Sequence, residues 1–145
     1  MKRILVPLDL RTEPDAVARV VTDAARGAGA TVRLLHVAPV PEAVIDVHGR
    51  IIAYADQETA RVEAEVLDYL RSVEFFFGEV PVDLVVRFGE PAEEILTEAD
   101  EFGADLIVLT TPREIGLGCF GTASRVWRRA DAAVILLKPP ALIAA

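Results

Sequence analysis

Short apolar runs alternate with amphipathic stretches along the whole chain, and this alternation restricts the possible folds more than any other feature. The five runs with the length of buried strands are residues 4–8, 31–37, 82–88, 105–110 and 133–137. Their apolar character is nearly continuous, which is typical of parallel strands that are covered on both faces. The pattern therefore predicts an α/β fold with a doubly wound parallel sheet.

The segments between these runs carry the signals of four helices. The first begins at residues 12–15 and stops at Gly27 or Gly29, and the second extends from 56 to about 77. The third begins at Pro91 and stops at Gly103, and the fourth begins at about Thr122. The residues predicted to face the core are Val17, Val20, Val21 and Ala24 in the first helix, Val62, Val66, Leu70 and Val73 in the second, Ile95, Leu96, Ala99 and Phe102 in the third, and Ala123, Val126, Trp127 and Ala130 in the fourth.

Residues 43–54 do not belong to the alternating pattern. Two apolar segments flank His48 and Gly49, and this arrangement predicts a small β-hairpin. His36 and His48 are the two histidines, and they are too far apart in sequence to suggest a metal site or a catalytic pair. We interpret each of them as structural or exposed.

Length and composition exclude several classes of protein. A chain of 145 residues predicts a single domain over 1–145. No apolar run approaches the ~20 residues that a membrane-spanning helix needs, and a net charge of −8 argues against nucleic-acid binding. Cys119 is the only cysteine, so an internal disulfide is excluded and a reducing cytoplasm is the expected location.

The loop after the fourth strand has the position of an anion-binding loop. It joins that strand to the helix that Gly121 opens, and a helix entered through such a loop can offer N–H groups to a phosphate. The residues expected nearest the anion are Thr110, Thr111, Pro112 and Arg113, and none of them is glycine. The loop therefore has the position of a phosphate site but lacks some of the backbone N–H donors that glycine residues usually provide there.

Basic residues are concentrated around this loop. From residue 112 to residue 138 they are Arg113, Arg125, Arg128, Arg129 and Lys138. One interpretation is a solvated helix face; the other is a local positive field that favours phosphate. In a doubly wound sheet a ligand lies beyond the carboxyl ends of the strands, and that rule selects Asp9, Val37, Gly89 and Thr110 onward.

The order of these motifs resembles the universal stress protein family. The segments that carry the resemblance are 4–9, 34–37, 89–96, 103–108, 121–126 and 133–137. The resemblance implies a five-stranded parallel sheet in the order 3-2-1-4-5, of the Rossmann-like type found in the adenine-nucleotide α-hydrolase group. It also implies a homodimer, and in many members an ATP site.

The resemblance assigns individual roles to the predicted site. Asp9 would face the adenosine, the backbone of Val37 would meet the adenine, and Gly121 and Thr122 would contact the distal phosphates. The remaining predicted nucleotide-binding residues are Pro7, Gly89, Thr110, Thr111, Arg113 and Ala123. The chain departs from the family pattern because Thr110 and Arg113 stand in place of the two glycines of Gly-x-x-Gly. Leu10 and Arg11 also stand where Gly-Ser is usual.

These departures predict weak binding of a triphosphate. Thr110 adds a β-branched side chain where glycine would let the backbone approach a phosphate, and Pro112 removes an N–H donor. Arg113 can compensate as a cation. We therefore expect a regulatory stress-response protein that binds ATP, ADP or AMP weakly or not at all, with Mg²⁺ accompanying ATP. The alternative is slow ATP hydrolysis.

Neither catalytic nor metal-binding residues are predicted, because the sequence offers no acid/base pair able to drive a reaction, and the expected role is not enzymatic. The homodimer is expected to form through the edge strand 133–137. A helix or the tail 141–145 could cover that edge instead. Trp127 is expected to lie in the core or in an interface.

Overall fold

The computed structural model of the chain describes residues 2–10, 14–110 and 119–137. Its helices and strands follow the predicted alternation. In chain order they are β1 (Arg3–Pro7), α1 (Pro14–Ala28), β2 (Thr31–Ala38), β3 (Val44–Ile45), β4 (Ile51–Ala53), α2 (Ala55–Phe75), β5 (Val82–Phe88), α3 (Pro91–Phe102), β6 (Leu106–Thr110), α4 (Cys119–Arg129) and β7 (Ala133–Leu137).

The main sheet has the order β5-β2-β1-β6-β7, and all of its strand pairs are parallel. This is the predicted order 3-2-1-4-5, counted over the sheet strands, and the fold prediction is confirmed. The first crossover leaves β1 for β2 on one side, and a later one returns to β6 on the other. The strand order thus reverses at β1, which is the switch point where such sheets bind ligands. The predicted hairpin is also confirmed, as β3 and β4 pair antiparallel in a separate two-stranded sheet.

Two apolar layers cover the sheet, because successive residues of a strand point to opposite faces. Ile4 and Val6 of β1 pack on the side of α1 and α2, together with Leu70 and Phe77. Leu5 of β1 packs on the side of α3 and α4. Leu5, Val6 and Leu70 are fully buried, and each such side chain stabilises the fold by about 1.5–3 kcal/mol.

The core prediction for α1 was right for Val17 and Val21 and wrong for Val20 and Ala24. Val20 is 51% exposed and Ala24 is also exposed. Val17 and Val21 are buried as predicted, and Ala25 is buried as well. Val17 and Val21 are four residues apart, and so are Val20 and Ala24. Spacing alone therefore does not distinguish the buried pair from the exposed pair. The small side chain of Ala25 lets the helix lie close to the sheet.

The prediction that Trp127 of α4 faces the core was wrong. The helix begins at Cys119, three residues before the expected start, and only Val126 of the four predicted core residues is fully buried. Ala123 and Ala130 are half-buried, and Trp127 is 70% exposed. Val126 and Trp127 are successive residues and point about 100° apart on a helix, so burying one turns the other toward solvent.

A buried ionic cluster attaches α3 to β2 and β5. Glu98 of α3 is 3% exposed and accepts hydrogen bonds from Arg33 of β2 at 3.2 Å and from Arg87 of β5 at 2.9 Å. The Arg33 guanidinium also lies 4.1 Å from the centre of the Phe102 ring, a cation–π contact. A carboxylate can be buried here because two guanidinium groups neutralise it.

Candidate functional site

The carboxyl ends of the strands form one edge of the sheet, and several predicted site residues lie along it. Gly89 follows β5 and donates its N–H to the carbonyl of Ala38, at the end of β2, at 2.9 Å. Asp9 follows β1, and Thr110 ends β6. Since α4 follows β6 and runs back along the sheet, its first turn, which contains Gly121, begins at the same edge.

The pairing of β1 with β6 ends before this edge, which is where a doubly wound sheet forms its ligand crevice. The pairing of β1 with β2 continues to Pro7 opposite Leu35, whereas its pairing with β6 ends at Leu5 opposite Ile107. Pro7 has no N–H to extend a ladder. This proline therefore lies where the two strands separate, at the switch point of the sheet.

The backbone leading to Asp9 is held in place by β2. Leu8 donates its N–H to the carbonyl of Leu35 at 2.8 Å, and the Leu8 carbonyl accepts a hydrogen bond from Nδ1 of His36 at 2.7 Å. Asp9 itself is half-buried. His36 was expected to be structural or exposed, and its contact gives it a structural role beside the site. No local sequence pattern signals this contact, because the two residues lie 28 positions apart.

Gly89 is required by its own surroundings. Its φ is 150°, a conformation that side chains rarely adopt. A Cβ at this position would lie 2.7 Å from Oε1 of Glu94. Glu94 cannot easily retreat, because its Oε2 accepts a hydrogen bond from Nε of Arg87 at 2.7 Å. That bond is also the main reason why the pKa of Arg87 is raised. The glycine thus allows the chain to turn tightly from β5 into α3 beside the crevice.

The structure accounts for only part of the predicted phosphate loop. Thr110 is half-buried and pairs in register with Leu137 of β7. Thr111 and Arg113 lie outside the described residues, as does Pro112. Gly121 and Thr122 lie in the first turn of α4, and Ala123 follows them. Apart from its chain neighbours and the backbone of its own helix, no atom of the described residues would come within 4 Å of a Cβ at Gly121, and its φ is not positive.

The predicted positive field is partly neutralised by α3. Nη1 of Arg125 donates to Oε1 of Glu90 at 2.9 Å, and Arg129 donates to both carboxylate oxygens of Glu93. The hydrogen bond from Arg129 lowers the pKa of Glu93, and the same bond raises the pKa of Arg129. These two arginines therefore have acidic partners, and the field that favours phosphate stays a prediction. Arg113 and Lys138 lie outside the described residues, and Arg128 is exposed.

A second concavity lies away from the crevice. It is a cleft of about 220 Å³ between the ends of α3 and α4, at the opposite edge of the sheet. Ala99, Ala104 and Ala132 are among its lining residues. Within the described ranges, no group of three or more His, Cys, Asp or Glu side chains could hold a metal ion, and no helix is long and apolar enough to span a membrane.

The fold is shared with solved universal stress proteins. One from Archaeoglobus fulgidus is 18% identical, and the match covers 94% of this chain and 98% of that one with a TM-score of 0.65. A universal stress protein from the same organism, described as a complex with dAMP, is 19% identical, with 94% and 97% covered and a TM-score of 0.63. A third, described as a complex with cAMP, is 17% identical, with 94% and 96% covered and a TM-score of 0.64. At these identities the likeness shows the fold alone.

No curated protein matches the sequence. The profile of the Universal stress protein family, however, matches residues 1–138 of the 145. Taken with the sheet order and the crevice at β1, this match shows that the chain belongs to the universal stress protein family.

Proposed function

We propose that this protein is a regulatory stress-response protein that binds an adenine nucleotide in the crevice between β1 and β6 and acts through partner contacts. The observation that carries the proposal is the convergence of Asp9, the end of β2 and the first turn of α4 on one edge of the sheet. Two similar structures are described as complexes with dAMP and cAMP, which supports an adenine nucleotide as the ligand class.

The affinity for a triphosphate is proposed to be low. Thr110 and Arg113 replace two glycines whose N–H groups would approach phosphate oxygens, and Pro112 removes a donor. AMP has one phosphate for such donors to hold, whereas ATP has three. ATP should therefore gain little affinity over AMP from its two additional phosphates, and Mg²⁺ would be bound only together with ATP.

Native mass spectrometry of the purified protein, followed by titration with ATP, ADP and AMP, tests this proposal. We expect ATP and AMP to bind with dissociation constants within about tenfold of each other, a difference of ~1.4 kcal/mol. The variant T110G, which retains Arg113, should tighten ATP binding more than AMP binding. ATP binding to the wild type a hundredfold more tightly than AMP, or no binding of any of the three, would contradict the proposal.

The proposed role is binding rather than catalysis, in the cytoplasm. Slow ATP hydrolysis is the competing function, and the position of the Asp9 carboxylate beside the crevice is the observation that favours it. Steady-state ATP turnover with Mg²⁺ separates the two. Turnover that D9A abolishes would establish the hydrolase, and turnover equal to that of a buffer blank supports the binding role.

The protein is further proposed to form a homodimer through β7. This strand is the last in the sheet order, and it leaves Ile135 45% and Leu136 55% exposed. Trp127, on the helix that precedes β7, is also exposed. An apolar edge strand that the described residues leave uncovered is a template for pairing with a second chain, so the second copy would cover these side chains.

A further inference from the structure

α4 carries two arginines that face α3, and they are held with different strength. Arg129 makes two hydrogen bonds to the two carboxylate oxygens of Glu93. Arg125 makes one, from Nη1 to Oε1 of Glu90 at 2.9 Å, and its Nη2 lies 4.0 Å from Glu93. Two-point binding fixes a guanidinium in orientation as well as position. Arg125 is therefore the arginine that can leave its partner more easily.

The two partners of this weaker pair are both accessible. The side chain of Arg125 is 48% exposed and that of Glu90 is 42% exposed. Ion pairs in such surroundings contribute little net stability, because water solvates each charge well when the pair separates. An anion that arrives beside Arg125 can therefore replace Glu90 at small cost.

Glu90 does not need Arg125 to keep its own position. Its other oxygen, Oε2, accepts the N–H of Glu93 at 2.8 Å and caps the first turn of α3. Pro91 also begins the helix, in a position that suits its fixed φ. Separation of the ion pair would thus leave the turn from β5 into α3 intact.

Arg125 is close to the place where the proposed nucleotide would hold its phosphate. It lies four residues after Gly121, on the same side of α4 and about 6 Å further along the helix axis. Glu90 precedes α3 at the same edge of the sheet, directly after Gly89. A flexible arginine side chain can span one helical turn, so its guanidinium can reach an anion at the start of α4.

We infer that Arg125 is a phosphate-responsive residue, which Glu90 holds in the absence of ligand and which moves to the phosphate when an adenine nucleotide binds. This inference rests on the proposed function. Arg125 supplies a cation near the start of α4, and Glu90 competes with the phosphate for it. Glu90 thereby lowers the affinity of the site for phosphorylated ligands without contacting them.

The two partners should act in opposite directions on the binding of AMP. R125Q removes the cation and should lower the affinity for AMP about tenfold, which is the effect of one charge-assisted hydrogen bond. E90Q removes the competitor, retains an amide oxygen that can cap α3, and should tighten AMP about threefold. Adenosine, which lacks a phosphate, should bind equally well to both variants and to the wild type. A purely structural role would weaken AMP and adenosine together in both variants.

The double variant R125Q/E90Q distinguishes competition for Arg125 from simple charge repulsion. If Glu90 acts through Arg125, E90Q has no effect on AMP affinity once Arg125 is absent. If E90Q still raises the affinity for AMP when R125Q is present, the inference is overturned. R61Q is the control, because Arg61 pairs with Glu58 on α2 and should leave AMP affinity unchanged.

Calorimetric titration with AMP and adenosine separates failure of this inference from failure of the proposed function. If the wild type binds neither ligand, both are overturned. If it binds AMP and the variants do not shift its affinity in opposite directions, only the role of Arg125 is overturned.

Discussion

The two halves of the sheet differ in how they are covered and in how their charged residues are paired. In the β2–β5 half, α3 covers the sheet and Glu98 is buried between Arg33 and Arg87. In the β6–β7 half, Ile135 and Leu136 of the edge strand are about half exposed. The helix of that half, α4, is joined to α3 by ion pairs that water reaches.

This difference shows that a carboxylate paired with arginine has a different role in the two halves. A buried carboxylate must keep its cationic partners, because desolvation would otherwise make it very unfavourable. An exposed carboxylate such as Glu90 can lose its partner to water or to a ligand. The first half is therefore fixed within the chain, whereas the second half has surfaces and charges available for another molecule.

The largest expected effect tests the fixed half. E98A leaves Arg33 and Arg87 without their shared buried partner, and we expect it to lower the free energy of unfolding by about 3 kcal/mol. Urea unfolding followed by circular dichroism measures the loss. E101A is the matched control, because Glu101 accepts from the same Arg87 at 3.2 Å but its side chain is 62% exposed. Equal losses in the two variants would remove the distinction between buried and exposed partners.

A change of oligomeric state is the next expected effect, and it tests the open half. I135K puts a charge on the exposed face of β7, where a second copy would pair, so we expect monomers or insoluble protein where the wild type is a dimer. Light scattering measures the mass. V20K is the control, since Val20 is 51% exposed on α1 and Ile135 is 45% exposed. A soluble I135K dimer would show that this edge is not the interface.

The smallest expected effect concerns the exposed ion pair of Glu93 and Arg129. Arg129 lowers the pKa of Glu93 below its ordinary value of 4.5 in the folded protein. The stabilisation by this ion pair is therefore present above pH 4.5, and it is lost as the pH falls through the lowered pKa of Glu93. R129Q should lower the Tm slightly at neutral pH, and the difference from wild type should shrink below pH 4.5.

R128Q is the control for that pH dependence, because Arg128 is exposed on the same helix and makes no ion pair with a described residue. Its Tm difference from wild type should not shrink as Glu93 is protonated. If R129Q and R128Q show the same pH profile, the pair between α3 and α4 does not stabilise the fold.

The sequence predicted the helices and strands well, but less well which side of a helix is buried. Gly103 at the end of α3 has a φ of 70°, a conformation for which glycine is the usual signal, and the helix ends there as predicted. In α1, however, Val20 and Val21 are both apolar, and their spacing allows either to face the sheet. In α4, the buried position belongs to Val126 and not to the larger Trp127.

The candidate site shows the same limit. Asp9, Gly89 and Gly121 could be selected because each follows an apolar run or opens a helix, which are local features. The contact of His36 with Leu8 could not, nor could the pairing of Arg125 with Glu90, because these residues are 28 and 35 positions apart. From the sequence Arg125 was one of several basic residues near a loop, with no sign that an acid would hold it.

The sequence by itself determined the alternation of strands and helices, because apolar periodicity and helix-capping residues act over a few positions. Through its resemblance to a known family it also gave the strand order. Only the tertiary structure decided which helix stripe is buried, how β1 separates from β6 at Pro7, and which charges of α3 and α4 neutralise one another. These depend on contacts between residues far apart in the chain, whose geometry is fixed only when the layers pack.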